Sequence, residues 1–244
     1  QIIPGVTFIR VLDTRLTLAI IAANYYDHPS RKLDLIGITG TNGKTTTASL
    51  SFELFTQMGH AAGLLSTVEI KYAKQVIPAT HTTPDPIAIN RHLDTMVNLG
   101  IGYCFMEVSS HGIAQGRIHG LQFKGGVFTN LTQDHLDYHE NFDAYKDSKL
   151  KILNFLNKGS LFVCDATNPY LKDITEKKEN EQITLIKVNA LSGKKIAKTN
   201  IFLSGKHNFI NTAIALALAK KLGLDDKQIK IAVNDFKGLP HRLE

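Results

Sequence analysis

The feature that most constrains this chain is a glycine-rich loop, GTNGKT at residues 40–45. A short β-branched run, LIGIT at residues 35–39, precedes it. The segment that follows, residues 44–58, has a helical period, with apolar side chains on one face at Leu50, Leu54 and Met58. A glycine-rich loop between a strand and a helix is the context that a phosphate-binding loop requires. The sequence therefore predicts a strand, a phosphate-binding loop and a helix in succession.

The residue types in this loop suit the binding of a nucleotide and its metal ion. Glycines let backbone N–H groups turn inward, and the following helix adds the positive end of its dipole. Lys44 is placed to reach the β and γ phosphates, and the Thr45 hydroxyl is placed to ligate Mg²⁺. The leading glycine of a standard Walker A motif is replaced by Ile38, so the loop is a variant whose first glycine is Gly40.

The rest of the chain alternates between strand-length apolar runs and segments of helical period. Further strands are predicted at residues 103–108, 126–131, 160–165 and 183–188, and further helices at residues 143–156, 207–222 and 225–236. This alternation predicts an α/β fold with a mainly parallel sheet flanked by helices.

Composition excludes several classes of protein. With 43% apolar and 20% charged residues over 244 positions, the chain can form a sizeable core, and no apolar run reaches the roughly 20 residues of a membrane span. Two cysteines in apolar runs, Cys104 and Cys164, and an N-terminus without an export leader favour a cytoplasmic protein. The net charge of +6 favours anionic partners but is too small to name one. The absence of tryptophan and the scattered basic residues do not support a nucleic-acid partner. We expect no membrane association.

Both ends of the chain hold too little sequence for a domain. Residues 1–32 contain one strong apolar segment, and we expect them to be a remnant of a preceding domain with its linker. Residues 33–238 form the predicted nucleotide-binding domain. Residues 239–244 are predicted to be a hinge to a domain that this sequence lacks.

Three polar clusters are candidates for a site beside the loop. Glu107 ends a predicted strand, at the sheet edge where open α/β folds bind ligands, and suits either Mg²⁺ or an ion pair. Residues 128–139 (FTNLTQDHLDYH) run from a strand into a cluster in which Asp134 or His135 is a metal ligand, a base or structural. Residues 79–86 offer hydroxyls before a helix predicted to begin at Pro86.

Taken together, these segments resemble the Mur ligase family. The motifs that carry the resemblance occur in this order: GTNGKTT, TTPD, MEVSSHG followed by Gln115 and Arg117, FTNLTQDHLDYH, AYKDSK and GKHNFIN. The resemblance covers about residues 30–244 and implies the central, P-loop NTPase-like ATP-binding domain of a three-domain enzyme. Within the family, the sequence is most similar to members that add the third amino acid of the peptidoglycan precursor.

The resemblance implies a cytoplasmic, ATP-dependent acid-amino-acid ligase. Such an enzyme joins meso-diaminopimelate or L-lysine to UDP-MurNAc-L-Ala-D-Glu through an acyl phosphate, as part of cell wall biogenesis. The expected partners are this UDP-linked dipeptide, ATP and the amino acid, and the expected state is a monomer. Because the uridine and amino-acid domains are not in this sequence, the chain is expected to be inactive alone.

The resemblance also assigns site residues. It implies that the nucleotide is bound by Gly40, Thr41, Asn42, Gly43, Lys44, Thr45, Thr46, His207, Asn208, Asn211 and Arg242. It implies that one Mg²⁺ is ligated by Thr45 and Glu107, and a second Mg²⁺ by His135 and Lys149. Lys149 matches a lysine that CO₂ carbamylates, which turns a cation that repels Mg²⁺ into an anion that binds it. Lys44, Glu107, His135 and Lys149 are the expected catalytic residues.

The resemblance further implies that the dipeptide end of the substrate is bound by His81, Thr82, Thr83, Ser109, Gln115 and Arg117. Two positions depart from the family pattern. His81 stands where asparagine is common, and His241, where many such ligases have glycine, resembles the ligase that adds D-glutamate.

Three alternatives remain open from the sequence. The chain is also compatible with the D-glutamate-adding ligase, with folylpolyglutamate synthetase, or with a non-catalytic P-loop module that binds ATP as a switch. A second metal site at His135 and Lys149 disfavours the switch, which has no need of one.

Overall fold

The structure is a computed structural model that describes residues 4–132, 141–165, 167–171, 183–197 and 200–238. Its sheet contains eight strands in the described part of the chain, in the order β4-β3-β2-β5-β1-β6-β7-β8. The strands are β1 (Asp34–Thr39), β2 (Ala62–Leu65), β3 (Glu69–Tyr72), β4 (Gln75–Pro78), β5 (Tyr103–Glu107), β6 (Phe123–Phe128), β7 (Leu156–Asp165) and β8 (Thr184–Val188). Strands β2, β5, β1, β6, β7 and β8 are parallel, and β3 and β4 extend the sheet as an antiparallel hairpin.

Helices cover both faces of the sheet. They are α1 (Thr14–Tyr25), α2 (Lys44–Gln57), α3 (Pro86–Asn98), α4 (Ser110–Ala114), α5 (Phe142–Leu150), α6 (Ala190–Ala197), α7 (Lys206–Lys221) and α8 (Asp226–Asp235). Side chains alternate across β1, so Leu35 faces one core and Ile36 and Ile38 face the other. The first core contains residues of α3, α4 and α5, and the second contains residues of α2, α7 and α8.

The α/β fold with a mainly parallel sheet is confirmed, and so are most of the predicted elements. Helix α3 begins at Pro86, where the Asp85 carboxylate accepts hydrogen bonds from the N–H groups of Ile87 and Ala88. The Asp225 carboxylate caps α8 by accepting from the Lys227 N–H, and Gly223, at φ +97°, follows the end of α7. Both cysteines are buried free thiols, and burial raises the pKa of Cys164 to about 12.

Three predicted elements were wrong in their bounds. The strand predicted at residues 160–165 begins four residues earlier, because β7 spans Leu156–Asp165. The strand predicted at residues 126–131 begins at Phe123 and ends at Phe128, because the following residues turn over the glycine-rich loop. The helix predicted at residues 143–156 ends at Leu150. A 3₁₀ turn (Lys151–Phe155) follows, and Leu156 is extended because it pairs with Phe123 in the sheet.

The β2-β3-β4 segment was not predicted from the sequence. These strands have only four residues each, too few for the period-2 pattern to stand out. Among the described residues, no helix combines the length and the apolar character that crossing a bilayer requires.

Helix α1, in the predicted remnant of a preceding domain, packs on the central sheet domain. Its Ala19, Ala22 and Ala23 are buried. Gly120 lies so close to α1 that a Cβ there would stand 3.3 Å from the Ala19 carbonyl oxygen. Residues 14–25 therefore share the packing of the domain that follows them.

Helices α6 and α7 approach each other at Gly193, which gives a test of the packing. A Cβ at Gly193 would overlap the Phe209 carbonyl oxygen. We expect Gly193→Ala to lower the free energy of unfolding by about 2 kcal/mol, because overpacking outweighs the gain of about 1 kcal/mol in helix propensity. Urea denaturation measures the change. Gly102→Ala is the control, since no atom lies within 4 Å of its Cβ position, and a stabilised Gly193→Ala protein would contradict this packing.

Candidate active site

The glycine-rich loop lies at the carboxyl edge of the sheet, where three neighbouring strands end. It follows β1, Glu107 closes β5, and Thr129 and Asn130 follow β6. The registers bring these ends together, because Ile38 pairs with Glu107 and Thr39 pairs with Phe128. Parallel strands in this order place ligand-binding groups side by side at one edge.

The backbone of the loop is held by Thr129 and Asn130. The Thr41 N–H donates to the Asn130 carbonyl oxygen at 2.9 Å, and the Asn42 N–H donates to Asn130 Oδ1 at 2.9 Å. In return, Asn130 Nδ2 and Thr129 Oγ1 donate to the Asn42 carbonyl oxygen at 2.9 and 2.6 Å. The N–H groups of Thr41 and Asn42 are engaged, so the donors offered to an anion are those at the N-terminus of α2, at Gly43, Lys44, Thr45 and Thr46.

Two glycines of the loop have no room for a side chain. Gly40 and Gly43 have φ values of +138° and +83°. A Cβ at Gly40 would overlap Thr129 Oγ1, and a Cβ at Gly43 would overlap the Asn211 carboxamide. The loop thus needs glycine both for its backbone angles and for its close neighbours.

Two lysines converge on the loop. Lys44 Nζ donates to the carbonyl oxygens of Gly40 and Thr41 at 2.9 and 2.8 Å. Lys149 Nζ, from α5, donates to the same Gly40 carbonyl oxygen at 2.9 Å. Lys149 is only 1% exposed, so it is a buried residue of the site and not a solvated helix lysine.

Tyr145 joins α5 to the loop. Its hydroxyl donates to Thr41 Oγ1 at 3.1 Å, and its ring lies 4.6 Å from Lys149 Nζ. Thr41 Oγ1 also donates to the Thr132 carbonyl oxygen and accepts from the Thr132 N–H, both at 3.1 Å. The position of Lys149 is therefore coupled to the conformation of the loop.

Glu107 is fully buried, and its carboxylate is held by the turn after β2. Oε1 accepts from the Thr67 N–H at 2.9 Å, and Oε2 accepts from the Thr67 hydroxyl at 3.0 Å. Thr45 is buried in the first turn of α2. A hydroxyl and a carboxylate at one sheet edge are hard oxygen ligands of the kind that Mg²⁺ prefers. Among the described residues, no three His, Cys, Asp or Glu side chains cluster as a metal site.

The residues predicted to hold the dipeptide form a second group beside Glu107. Thr83 is buried, and its hydroxyl donates to the Glu107 carbonyl oxygen at 3.0 Å and accepts from the Ser109 N–H at 2.9 Å. Arg117 donates to the Thr83 carbonyl oxygen at 2.6 Å and to Gln115 Oε1 at 2.9 Å. Arg117, Gln115 and exposed His81 line a cleft of about 360 Å³ together with Arg15, Leu18, Asp85 and Pro86.

Of the residues predicted at the adenine, Asn211 reaches the loop most directly. It packs against Gly43, and its buried Oδ1 has no hydrogen-bond partner in the described part of the chain. Asn208 lies one turn earlier on α7 and donates to the Ser204 carbonyl oxygen at 3.1 Å, and His207 beside it is exposed. The buried acceptor fits a ligand that donates a hydrogen bond.

His135 and Arg242 lie outside the described residues, and so does Asp134. The structure adds Thr67, Thr129, Asn130 and Tyr145, to which the sequence analysis gave no role. Three of them belong to the motifs FTNLTQDHLDYH and AYKDSK. Only tertiary contacts, however, distinguish them from their neighbours.

Comparison with known proteins identifies the family. Residues 38–219 match the Mur ligase middle domain. The chain is 39% identical over 98% of its length to the UDP-N-acetylmuramoyl-L-alanyl-D-glutamate--2,6-diaminopimelate ligase of Cytophaga hutchinsonii, of which it covers 52%. It is 49% identical over 66% of its length to the ligase of the same name from Bacteroides fragilis, of which it covers 33%. The chain thus spans about half the length of the Cytophaga hutchinsonii ligase and 33% of the Bacteroides fragilis ligase.

Solved structures share the fold. A UDP-N-acetylmuramoyl-L-alanyl-D-glutamate--2,6-diaminopimelate ligase superposes with a TM-score of 0.77 at 23% identity, over 95% of this chain and 52% of that one. Folylpolyglutamate synthase of Mycobacterium tuberculosis gives a TM-score of 0.72 at 16% identity, over 94% of this chain and 64% of that one. The family model covers well over half of the chain, and these folds agree with it. The chain therefore belongs to the Mur ligase family, through the middle domain of that family.

Proposed function

We propose that this chain is the nucleotide-binding part of an ATP-dependent ligase that adds 2,6-diaminopimelate to UDP-MurNAc-L-Ala-D-Glu. The observation that carries the proposal is the convergence of the glycine-rich loop, Glu107 and buried Lys149 at one sheet edge. The names of the relatives support the choice of substrate and of amino acid. Residues 33–238 would be the central domain, residues 1–32 the end of a preceding one, and residues 239–244 the hinge to a following one.

ATP would bind with its phosphates at the first turn of α2. The N–H groups of that turn and the Lys44 ammonium supply the positive potential. Asn211 and Asn208, on the first turns of α7, stand on the side of the loop where the rest of the nucleotide would lie. His207 and Arg242 complete the set proposed for the nucleotide.

Mg²⁺ would be held by the Thr45 hydroxyl and the Glu107 carboxylate, with a second ion at His135 and a carbamate on Lys149. When bound, Mg²⁺ neutralises the charge that develops on the transferred phosphoryl group. Lys149 is buried, and its Nζ lies 2.9 Å from the Gly40 carbonyl oxygen, so a carbamate on it would stand beside the glycine-rich loop. The carbamate would replace a cation by an anion at that place.

The proposed reaction has two steps. A substrate carboxylate oxygen bonds to the γ phosphorus as the bond to ADP breaks, which yields an acyl phosphate and ADP. The free amine of the amino acid then attacks the acyl carbon, loses a proton and displaces phosphate. Lys44 and the α2 N-terminus orient the phosphoryl group, while Arg117, Gln115, Ser109 and the threonine pair Thr82 and Thr83 position the dipeptide. Positioning and electrostatics account for most of such catalysis.

The first prediction concerns Lys44. We expect Lys44→Ala to weaken ATP-Mg binding by about tenfold or more, because a charge-assisted contact to phosphate is lost. Isothermal titration of the chain measures the affinity. Lys74→Ala removes an exposed lysine in the hairpin turn and serves as the charge-matched control. Unchanged affinity in Lys44→Ala would refute the assignment of the loop.

The second prediction concerns the chain by itself. We expect it to bind ATP-Mg but to form no tripeptide from UDP-MurNAc-L-Ala-D-Glu and diaminopimelate, because the uridine and amino-acid sites lie in the other domains of the proposed enzyme. Chromatography of the UDP-linked products tests this. Tripeptide formation by these 244 residues alone would contradict the domain proposal.

The third prediction concerns Lys149 in the complete enzyme. We expect Lys149→Ala to lose most ligase activity while ATP binding stays nearly intact, because Lys44 still donates to the Gly40 carbonyl oxygen and Thr129 and Asn130 still hold the loop. Millimolar acetate should restore part of the activity by supplying an anion, whereas chloride at equal ionic strength should not. Lys146→Ala, on the same helix but paired with Asp143 at 3.1 Å, is the matched control. Full activity of Lys149→Ala would exclude the carbamate.

A further inference from the structure

The first turn of α1 contributes an arginine to the cleft beside the proposed dipeptide residues. Arg15 lines this cleft of about 360 Å³ together with Gln115 and Arg117. A cleft of this size takes a small ligand or one part of a larger ligand. No role was predicted for Arg15 from the sequence, because it lies in residues 1–32, the predicted remnant of a preceding domain.

The packing of α1 fixes the place of this arginine. The buried face of the helix carries Ala19, Ala22 and Ala23. Residues four and seven positions apart lie on the same side of a helix, so Arg15 stands above Ala19 and Ala22 at the N-terminal end of this face. Leu18, one turn further along the helix than Arg15, lines the same cleft. The face that docks α1 on the domain therefore directs Arg15 to the cleft.

A second contact holds α1 against the segment that carries the proposed dipeptide residues. Gly116 has a φ of +70°, and a Cβ there would stand 2.6 Å from Leu16 Cδ2. Gly116 lies between Gln115 and Arg117 in the chain. Because Leu16 rests on this glycine, the first turn of α1 and the Gln115–Arg117 segment keep a fixed relation to each other.

The two arginines of the cleft differ in how far their guanidinium groups are engaged. Arg117 donates through Nη1 to the Thr83 carbonyl oxygen and through Nε to Gln115 Oε1. A guanidinium has five N–H donors, so the two that Arg117 uses leave three for a ligand. The Arg15 side chain is exposed, and no residue in the described part of the chain forms an ion pair or hydrogen bond with it.

The charges around the cleft favour an anion. Its lining contains two arginines and one carboxylate, Asp85, which leaves an excess of one positive charge with His81 neutral. The Asp85 carboxylate already accepts from the N–H groups of Ile87 and Ala88 at the start of α3. Guanidinium groups match the oxygens of carboxylates and phosphates, which they bind through paired N–H donors. The cleft is therefore suited to an oxyanion.

The chemistry of the proposed substrate identifies this oxyanion. The glutamate of L-Ala-D-Glu has two carboxylates, and one of them is consumed when it bonds to the γ phosphorus. The other does not react and stays ionised through both steps. An ionised group that leaves water needs a partner of opposite charge. Gln115 and Arg117, which are proposed to position the dipeptide, line the cleft in which Arg15 offers such a charge.

We propose that Arg15 is a substrate-binding residue that, together with Arg117, binds the dipeptide carboxylate that does not react. This inference rests on the proposed function. It makes α1 a part of the substrate site and not only a connection to a preceding domain. Because the carboxylate keeps its charge throughout the reaction, Arg15 contributes to affinity for the substrate and not to the rate of bond formation.

The test measures the affinity of the complete enzyme, without ATP, for UDP-MurNAc-L-Ala-D-Glu and for two analogues in which one or the other glutamate carboxylate is an amide. We expect Arg15→Gln to weaken binding of the dicarboxylate about tenfold, the order expected when a charged group loses its hydrogen bonds. The loss should persist with the analogue that keeps the non-reacting carboxylate and disappear with the other. Arg31→Gln removes an exposed arginine outside the cleft and is the charge-matched control.

Kinetics and stability separate substrate binding from a structural role. We expect Arg15→Gln to raise KM for the UDP-linked dipeptide about tenfold and to leave kcat within about twofold, since a contact that persists through the reaction affects KM alone. Thermal unfolding should not change, because the side chain is exposed. Unchanged affinity in Arg15→Gln would overturn the inference, and so would an equal loss with all three ligands, which would assign Arg15 to the diphosphate. Failure of the unmutated enzyme to bind the UDP-linked dipeptide would instead overturn the proposed function.

Discussion

The exchange of hydrogen bonds between the loop at residues 40–43 and the Thr129-Asn130 pair is the interaction on which the site depends. The loop would otherwise be a glycine-rich segment with wide backbone freedom. Asn130 accepts from two consecutive N–H groups of the loop and donates back to the Asn42 carbonyl oxygen. Since Thr129 and Asn130 follow β6, the pairing of β6 with β1 sets the shape of the loop.

That shape concentrates positive charge. The Lys44 and Lys149 ammonium groups both donate to the Gly40 carbonyl oxygen, and the N-terminus of α2 points to the same region. Two cations at one carbonyl repel each other, and more strongly in a buried site than in water. A phosphate beside Lys44 would relieve this repulsion. The two ammonium groups and the N-terminus of α2 therefore favour an anionic ligand at the loop.

Much of the site was predictable because its parts are adjacent in sequence. The loop, its strand and its helix lie within residues 34–57, and local propensity and glycine spacing determine them. Glu107 was predictable as a strand-end carboxylate, and the family resemblance assigned it to Mg²⁺. Which residues lie beside it was not predictable, since that depends on the strands next to β5. Thr67 had no signal at all, because its partners lie 15 and 40 positions further along the chain.

The sequence by itself determined the α/β class, the phosphate-binding loop and the family, since each depends on the order and spacing of residues along the chain. Only the tertiary structure decided the burial of Lys149, the clamp of Thr129 and Asn130 on the loop, and the link from Thr82 through Thr67 to Glu107. The physical reason is that these contacts join residues from different strands and helices. Their energy arises only after the sheet has brought those elements together.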